Sequence, residues 1–198
     1  PIYSIGVSFL SIFNDIVNAV FGGQLLTALA QTETRHGMHG VRENFLRAIR
    51  LCSAFVTLGA CALAIYGPPF IARWVGENFQ DSGRILLILV IPYLLYLAQY
   101  PVWSLLYSTN RHKYIAQLTF GGGLFNLALS LILAYQIGFF GVVWGTAVEI
   151  TIVSLIILPI LTCRTINFRI TTYLATLLPG SLQAGIPSLI WFLIIRHY

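Results

Sequence analysis

Charge is what this sequence lacks. Asp, Glu, Lys and Arg make up 9% of its residues and hydrophobic types 58%, whereas a soluble domain carries about a quarter charged residues. A charged coat cannot be made from so few, so the chain's solvent is mostly lipid. Cysteine is scarce as well. Cys52 and Cys61 sit about 13 Å apart if they share one helix, too far to bridge, and Cys163 ends another apolar stretch. Free thiols in a packed bundle are the better reading. No CxxC, P-loop, HExxH or GxSxG occurs, and no nucleophile has an evident base beside it. His36 and His39 could meet on one helix turn, but two histidines make a poor metal site. The expectation is a non-enzymatic protein without metal or cofactor. The chain opens on Pro1, with no basic stretch and cleavage site behind it, which reads as a processed or partial chain.

What is present is apolar length. A spanning helix needs about 20 mostly apolar residues. Six segments qualify: Ile2–Ala30, Leu51–Tyr66, Ile85–Tyr107, Tyr114–Ile137, Val142–Cys163 and Tyr173–Ile195. The second is short unless its amphipathic entry, Phe45–Arg50, is counted. Gly67-Pro68-Pro69 removes two backbone donors and is expected to stop that helix. Ser108-Thr109-Asn110 and Arg164-Thr165-Ile166-Asn167 read as short polar turns. Long continuous runs exclude the short alternating segments of a β-barrel. Only a helix bundle then satisfies every backbone group. The fold class is all-α, a polytopic membrane bundle, and residues 1–198 form a single transmembrane domain.

The basic residues sort the loops. Arg35, Arg42, Arg47, Arg50, Arg111, Lys113, Arg164 and Arg169 lie in alternate loops, eight of the eleven in the chain. Those loops, Gln31–Asn44, Thr109–Lys113 and Arg164–Ile170, are expected inside and both termini outside. The opposite side holds Arg73, Arg84 and Arg196, diluted by Glu77 and Asp81. The net charge of +5 is then met by anionic lipid, with no need for nucleic acid.

Several spans carry a face that does not suit lipid. On the first, Ser4, Ser8, Ser11, Asp15, Asn18 and Gly22 recur at steps of four and three, one helix face. A central carboxylate costs about 2.5–3.5 kcal/mol on insertion scales, so Asp15 should face protein or water. The seam reads either as a cavity-lining strip with a protonatable group or as a helix-packing seam of small and polar residues. Tyr93, Tyr96, Tyr100, Trp103 and Tyr107 form an aromatic seam on the third span, with Gln99 beside it and Pro92 and Pro101 able to bend it. Such rings can stack on sugar faces while hydroxyls bond to sugar hydroxyls. They can equally be bundle packing and interfacial anchors.

The fourth span carries Thr119, Gly122, Asn126 and Ser130 on one face within a Gly121-Gly122-Gly123 run. Asn126 reads better as a cross-helix bond than as a ligand contact. On the fifth, Gly141 and Gly145 form a small-xxx-small pair, and Glu149 continues that face into the bundle. A carboxylate there is a functional candidate or a hydrogen-bonded packing group. Arg42, Arg47 and Arg50 lead into the second span, Glu43 four residues before Arg47 supporting a helix. They read as snorkelling side chains or as a basic collar for an anionic headgroup.

Longer stretches carry a resemblance. Leu29-Ala30-Gln31 through Asn44-Phe45-Leu46-Arg47-Ala48-Ile49-Arg50, the outer loop Phe70-Ile71-Ala72-Arg73-Trp74-Val75-Gly76-Glu77-Asn78-Phe79 and the basic turn Leu106-Tyr107-Ser108-Thr109-Asn110-Arg111-His112-Lys113 are similar to segments of Wzx-type polysaccharide flippases. These are a branch of the multidrug/oligosaccharidyl-lipid/polysaccharide exporter superfamily. The most specific stretch is Phe125-Asn126-Leu127-Ala128-Leu129-Ser130-Leu131-Ile132-Leu133 followed by Gly138-Phe139-Phe140-Gly141-Val142-Val143-Trp144-Gly145-Thr146-Ala147. The resemblance implies a C-terminal lobe of about six helices, one of two lobes around a central cavity. It further implies alternating access that moves lipid-linked oligosaccharide, for cell-surface polysaccharide, across a bacterial or archaeal cytoplasmic membrane. Membrane lipid, that substrate and an N-terminal lobe of the same polypeptide would be the partners. A multidrug or toxin exporter of the same superfamily is the first alternative. A membrane polysaccharide polymerase or transferase is the second, and it lacks the large outer loop or His/Asp constellation it would need.

Overall fold

The computed structural model describes residues 2–167 and 169–197; Pro1 lies outside that description, as do the side chains at 24, 26, 30, 33, 34, 36, 38, 77, 178, 179, 196 and 197, His36, Glu77 and Arg196 among them. The described residues are helical, with no strand among them. The helices are α1 (Ile2–Phe21), α2 (Gly23–Trp74), α3 (Gln80–Leu97), α4 (Tyr100–Ser108), α5 (His112–Ile137), α6 (Phe139–Ile152), α7 (Leu158–Thr165) and α8 (Ile170–His197). Among the described residues, six stretches are long and apolar enough to cross a membrane: Ile2–Phe21, His39–Trp74, Gln80–Ser108, His112–Ile137, Phe139–Thr165 and Ile170–Ile195. The spans expected from hydropathy are all present, with different ends.

The first span ends at Phe21, not Ala30, because the chain bends at Gly22 and continues as α2. The Gln31–Asn44 segment is helix rather than loop. Gly37 breaks it at φ 61°, ψ −164°, a conformation open essentially to Gly alone. Asn44 Nδ2 donates to Thr32 Oγ1 at 3.0 Å and ties the two arms together. The second span is also longer than expected. Gly67-Pro68-Pro69 does not stop it, and helix runs on to Trp74. The two prolines leave the Ala64 and Ile65 carbonyls without their usual donors. Packing tolerates this: a Cβ on Gly83 would stand 3.2 Å from Pro68 Cα, so α3 lies close against the proline face. The turns at Asn110 and Asn167 are as expected, both residues having positive φ, 55° and 50°, which Asn tolerates at a helix end.

The core forms around α2, α3 and α4. Phe45, Ile49, Val102, Leu105, Leu158 and Tyr173 fill the half nearer the basic turns. Leu10, Ile71, Ile85, Leu89 and Val143 fill the other half. Helix α8 closes one side, where the Tyr66 hydroxyl donates to the Phe192 carbonyl at 3.1 Å. On the other side α1 leans on α2 and α3, while α5 pairs with α6. That pairing is close. A Cβ on Gly141 would collide with the Leu133 and Ala134 backbone, and one on Gly145 with Ser130. The small-xxx-small pair therefore sets the distance between α5 and α6.

Candidate functional site

The α3–α4 span is broken at its centre, and the break positions everything around it. Pro101 has no N–H, and Gln99 departs from helical geometry just before it, at φ −99°, ψ 15°. Across from the break, Pro159 cannot donate to Leu155, and the chain slips into a π turn over Val153–Ile157. The Leu158 N–H bonds to the Val153 carbonyl, which frees the Ser154 carbonyl. Gln99 Nε2 fills that vacancy at 2.8 Å and also donates to Leu95 O at 2.9 Å. The Tyr173 hydroxyl donates to Gln99 Oε1 at 2.7 Å. This node is buried, and it locks α3, α4, the π turn and α8 together.

On the opposite side of the same span lies an open cleft. One cavity of about 370 Å³ is lined by Ser11 and Asn14 of α1, Tyr93 and Tyr96 of α3, Trp103 of α4, Leu118 and Thr119 of α5, and Glu149, Ile150 and Val153. A second, of about 300 Å³, continues it past Tyr100 and Tyr107 towards the basic turn. Tyr93 to Tyr107 spans about 20 Å at 1.5 Å per residue. The cleft opens between α1 and α5, the two spans least covered by the bundle: 17% and 6% of their apolar windows are buried.

Tyr96 and Trp103 pack with ring centroids 6.1 Å apart and planes tilted by 57°, forming a corner of the upper cavity. The Trp103 indole N–H is buried without a hydrogen-bond partner among the described residues. The Tyr100 hydroxyl donates to Asn18 Oδ1 at 2.6 Å across the α1–α4 edge. Glu149 is half-buried. Its Oε1 lies over Gly122, where an added Cβ would come within 2.7 Å of it. Gly122 thus makes the room in which the carboxylate sits.

The sequence candidates fall into three places. Tyr96, Tyr100, Trp103 and Glu149 line the cleft, and Asn18 borders it through Tyr100. Asn126 lies away from it: Nδ2 donates to Thr146 Oγ1 at 3.5 Å, and Oδ1 accepts from Ser130 at 2.9 Å. That is a bond across α5 and α6. Asp15 is exposed and lines neither cavity. The basic residues lie elsewhere too. Arg42 is half-buried and its Nη2 donates to the Asn167 carbonyl at 3.3 Å, while Arg47 and Arg50 are exposed.

Asn14 lines both cavities, and the polar seam misses it. The spacing could have found it, since Ser11, Asn14 and Asn18 step by three and four just as Ser11, Asp15 and Asn18 step by four and three. The seam's true centre is the Ser11–Asn18 line, with Asn14 on the cleft side and Asp15 on the outer side. Ser4, Ser8, Ser11, Asp15 and Asn18 are all exposed in the bundle. The packed face of α1 is instead Gly6, Leu10 and Val17.

Beyond this geometry, one similarity bears on the chain. Over 151 residues it is 24% identical to the uncharacterized membrane protein EpsK of Bacillus subtilis (strain 168), a match covering 75% of this chain and 30% of that protein. The chain is a multi-pass membrane protein. It spans about a third of its relative's length. No family model and no solved structure matches it.

Proposed function

We propose that this chain is one lobe of a flippase that carries lipid-linked oligosaccharide across a bacterial or archaeal cytoplasmic membrane by alternating access. It catalyses no covalent chemistry. A second helical lobe would face the cleft from the other side, and the glycan would travel between them. The observation that carries this reading is the cleft itself. Ser11, Asn14, Thr119, Glu149 and the tyrosines line a groove at membrane depth, and its rim on α1 is an exposed polar face holding Asp15. Polar groups at that depth belong against protein or water, not hydrocarbon. Amide and hydroxyl groups offer bonds to sugar hydroxyls, and aromatic rings offer their faces. Asp15, on the outer edge of the seam, would meet the second lobe and take part in coupling or headgroup handling. Arg42, Arg47 and Arg50, near the basic turns, would attract anionic lipid phosphate.

The test is flipping of lipid-linked oligosaccharide in vesicles by the full-length protein. Tyr96→Leu with Trp103→Leu keeps apolar bulk and removes the rings. The rate should fall about tenfold or more, since two aromatic contacts are each worth about 0.5–1.5 kcal/mol. An unchanged rate at equal protein level contradicts the reading.

A further inference from the structure

Glu149 is the sole charged residue lining either cavity among the described residues; no Lys, Arg or His joins it. Among the described residues the Lys and Arg side chains stand in turns or towards the ends of spans, and none lines either cavity. No hydrogen bond or ion pair to Glu149 occurs among the described residues; the Arg84–Asp81 contact at 3.1 Å lies elsewhere and is exposed. An uncompensated carboxylate within a span is costly. The fold nonetheless builds space for it at Gly122, opposite Ser11 and Asn14, and surrounds the space with three rings, Tyr93, Tyr96 and Trp103.

We propose that the upper cavity is a recognition site for a protonated amine carried on a saccharide. Glu149 reads the positive charge, and the Tyr96–Trp103 corner takes the apolar sugar face together with the ammonium. Each component fits this ligand better than its rivals. A carboxylate with no cation near it repels phosphate and uronate groups. A neutral sugar would use Asn14, Ser11, Thr119 and the rings but give Glu149 no partner. A calcium ion would call for more carboxylates than this one, and no group of three or more His, Cys, Asp or Glu that could hold a metal occurs among the described residues. An ammonium over aromatic faces gains from the ring quadrupoles, by about 2 kcal/mol or more when desolvated. The cavity volume of about 370 Å³ lies at the lower end of small-ligand sites, about 300–1,000 Å³.

The inference rests on the flippase reading only in taking a saccharide as the carrier of the amine. Its test is binding to the full-length protein in nanodiscs, followed by saturation-transfer NMR titration. The probes are glucosamine, N-acetylglucosamine and tetraethylammonium. Glucosamine should bind about tenfold more tightly than its N-acetyl form, a conservative return for a facing carboxylate and ring contacts. Glu149→Gln, matched for thermal stability, should bring that ratio near one. Equal affinities in the unaltered protein, or a preference that survives Glu149→Gln, overturn the proposal. Tetraethylammonium binding as tightly as glucosamine overturns the saccharide assignment in favour of a general organic cation. The vesicle assay separates the two readings. Amine preference without flipping sinks the flippase and leaves this site standing; flipping without amine preference does the reverse.

Discussion

Two polar centres flank the same broken span, and they are built in opposite ways. On one side, Gln99 is fully buried and holds Leu95, Ser154 and Tyr173 in bonds of 2.7–2.9 Å. On the other, Glu149 is half-buried over Gly122 and bonds to none of the described residues. The first centre satisfies the Gln99 amide within the fold, as a dry interior demands. The second keeps its capacity open towards a groove. The neighbouring spans repeat the contrast: 56% of the apolar window of Gln80–Ser108 is buried, against 6% in His112–Ile137. A polar residue in an apolar span is therefore not one kind of signal. Paired inside the bundle it is structure, and unpaired on an open cleft it is available to a ligand.

The largest loss is expected in the α5–α6 wall of the cleft. Gly141 has no room for a side chain against the Leu133 and Ala134 backbone, and backbone cannot step aside as a flexible side chain can. Gly141→Val should force α5 off α6 and cost about 3 kcal/mol, the upper part of the overpacking range. Thermal unfolding in detergent, with yield of folded protein, checks this; a variant as stable as the parent would show that α5 is not packed there. Next comes the dry centre. Gln99→Leu strands the Tyr173 hydroxyl and the Ser154 carbonyl, at about 1–3 kcal/mol for a buried group left unpaired. The same unfolding measurement should show a clear loss. Glu149→Gln should cost no stability, because it breaks no internal bond and removes a charge that is costly within a span. If Glu149→Gln destabilises as much as Gln99→Leu, the carboxylate is a packing group and the contrast fails.

Much of this was legible in the sequence, and the rest was hidden for identifiable reasons. Hydropathy marks the spans because lipid demands about 20 apolar residues in a row. It is silent on Gln31–Asn44, which is polar and falls between the apolar runs Ile2–Ala30 and Leu51–Tyr66, so two helical arms read as a loop. The Gly141–Gly145–Glu149 face points at α5 as its spacing implies, and Glu149 comes to rest on Gly122. The Tyr93–Tyr107 seam lines the cleft for the same reason of periodicity. Periodicity cannot choose between Asn14 and Asp15, since both continue the α1 seam within one helical step. The Gln99 node could not be read at all. It joins residues 74 apart in sequence, and it depends on a carbonyl that becomes free only when Pro159 shifts the helix into a π turn.

The central claim is that the α1–α5 groove is a wet path and that the other open face of α5 meets lipid. Both surfaces are exposed in the bundle, so exposure alone does not separate them: Phe120 is 77% exposed and Leu131 64%. Single cysteines at Asn14 and Thr119, in the cleft, and at Phe120 and Leu131 can be placed in full-length protein lacking Cys52, Cys61 and Cys163. The measurement is reaction with a charged, membrane-impermeant thiosulfonate in intact membranes. The account predicts that Asn14→Cys and Thr119→Cys react, and that Phe120→Cys and Leu131→Cys, though exposed in the bundle, do not. Equal reactivity at all four sites, or reaction confined to Phe120→Cys and Leu131→Cys, would contradict it.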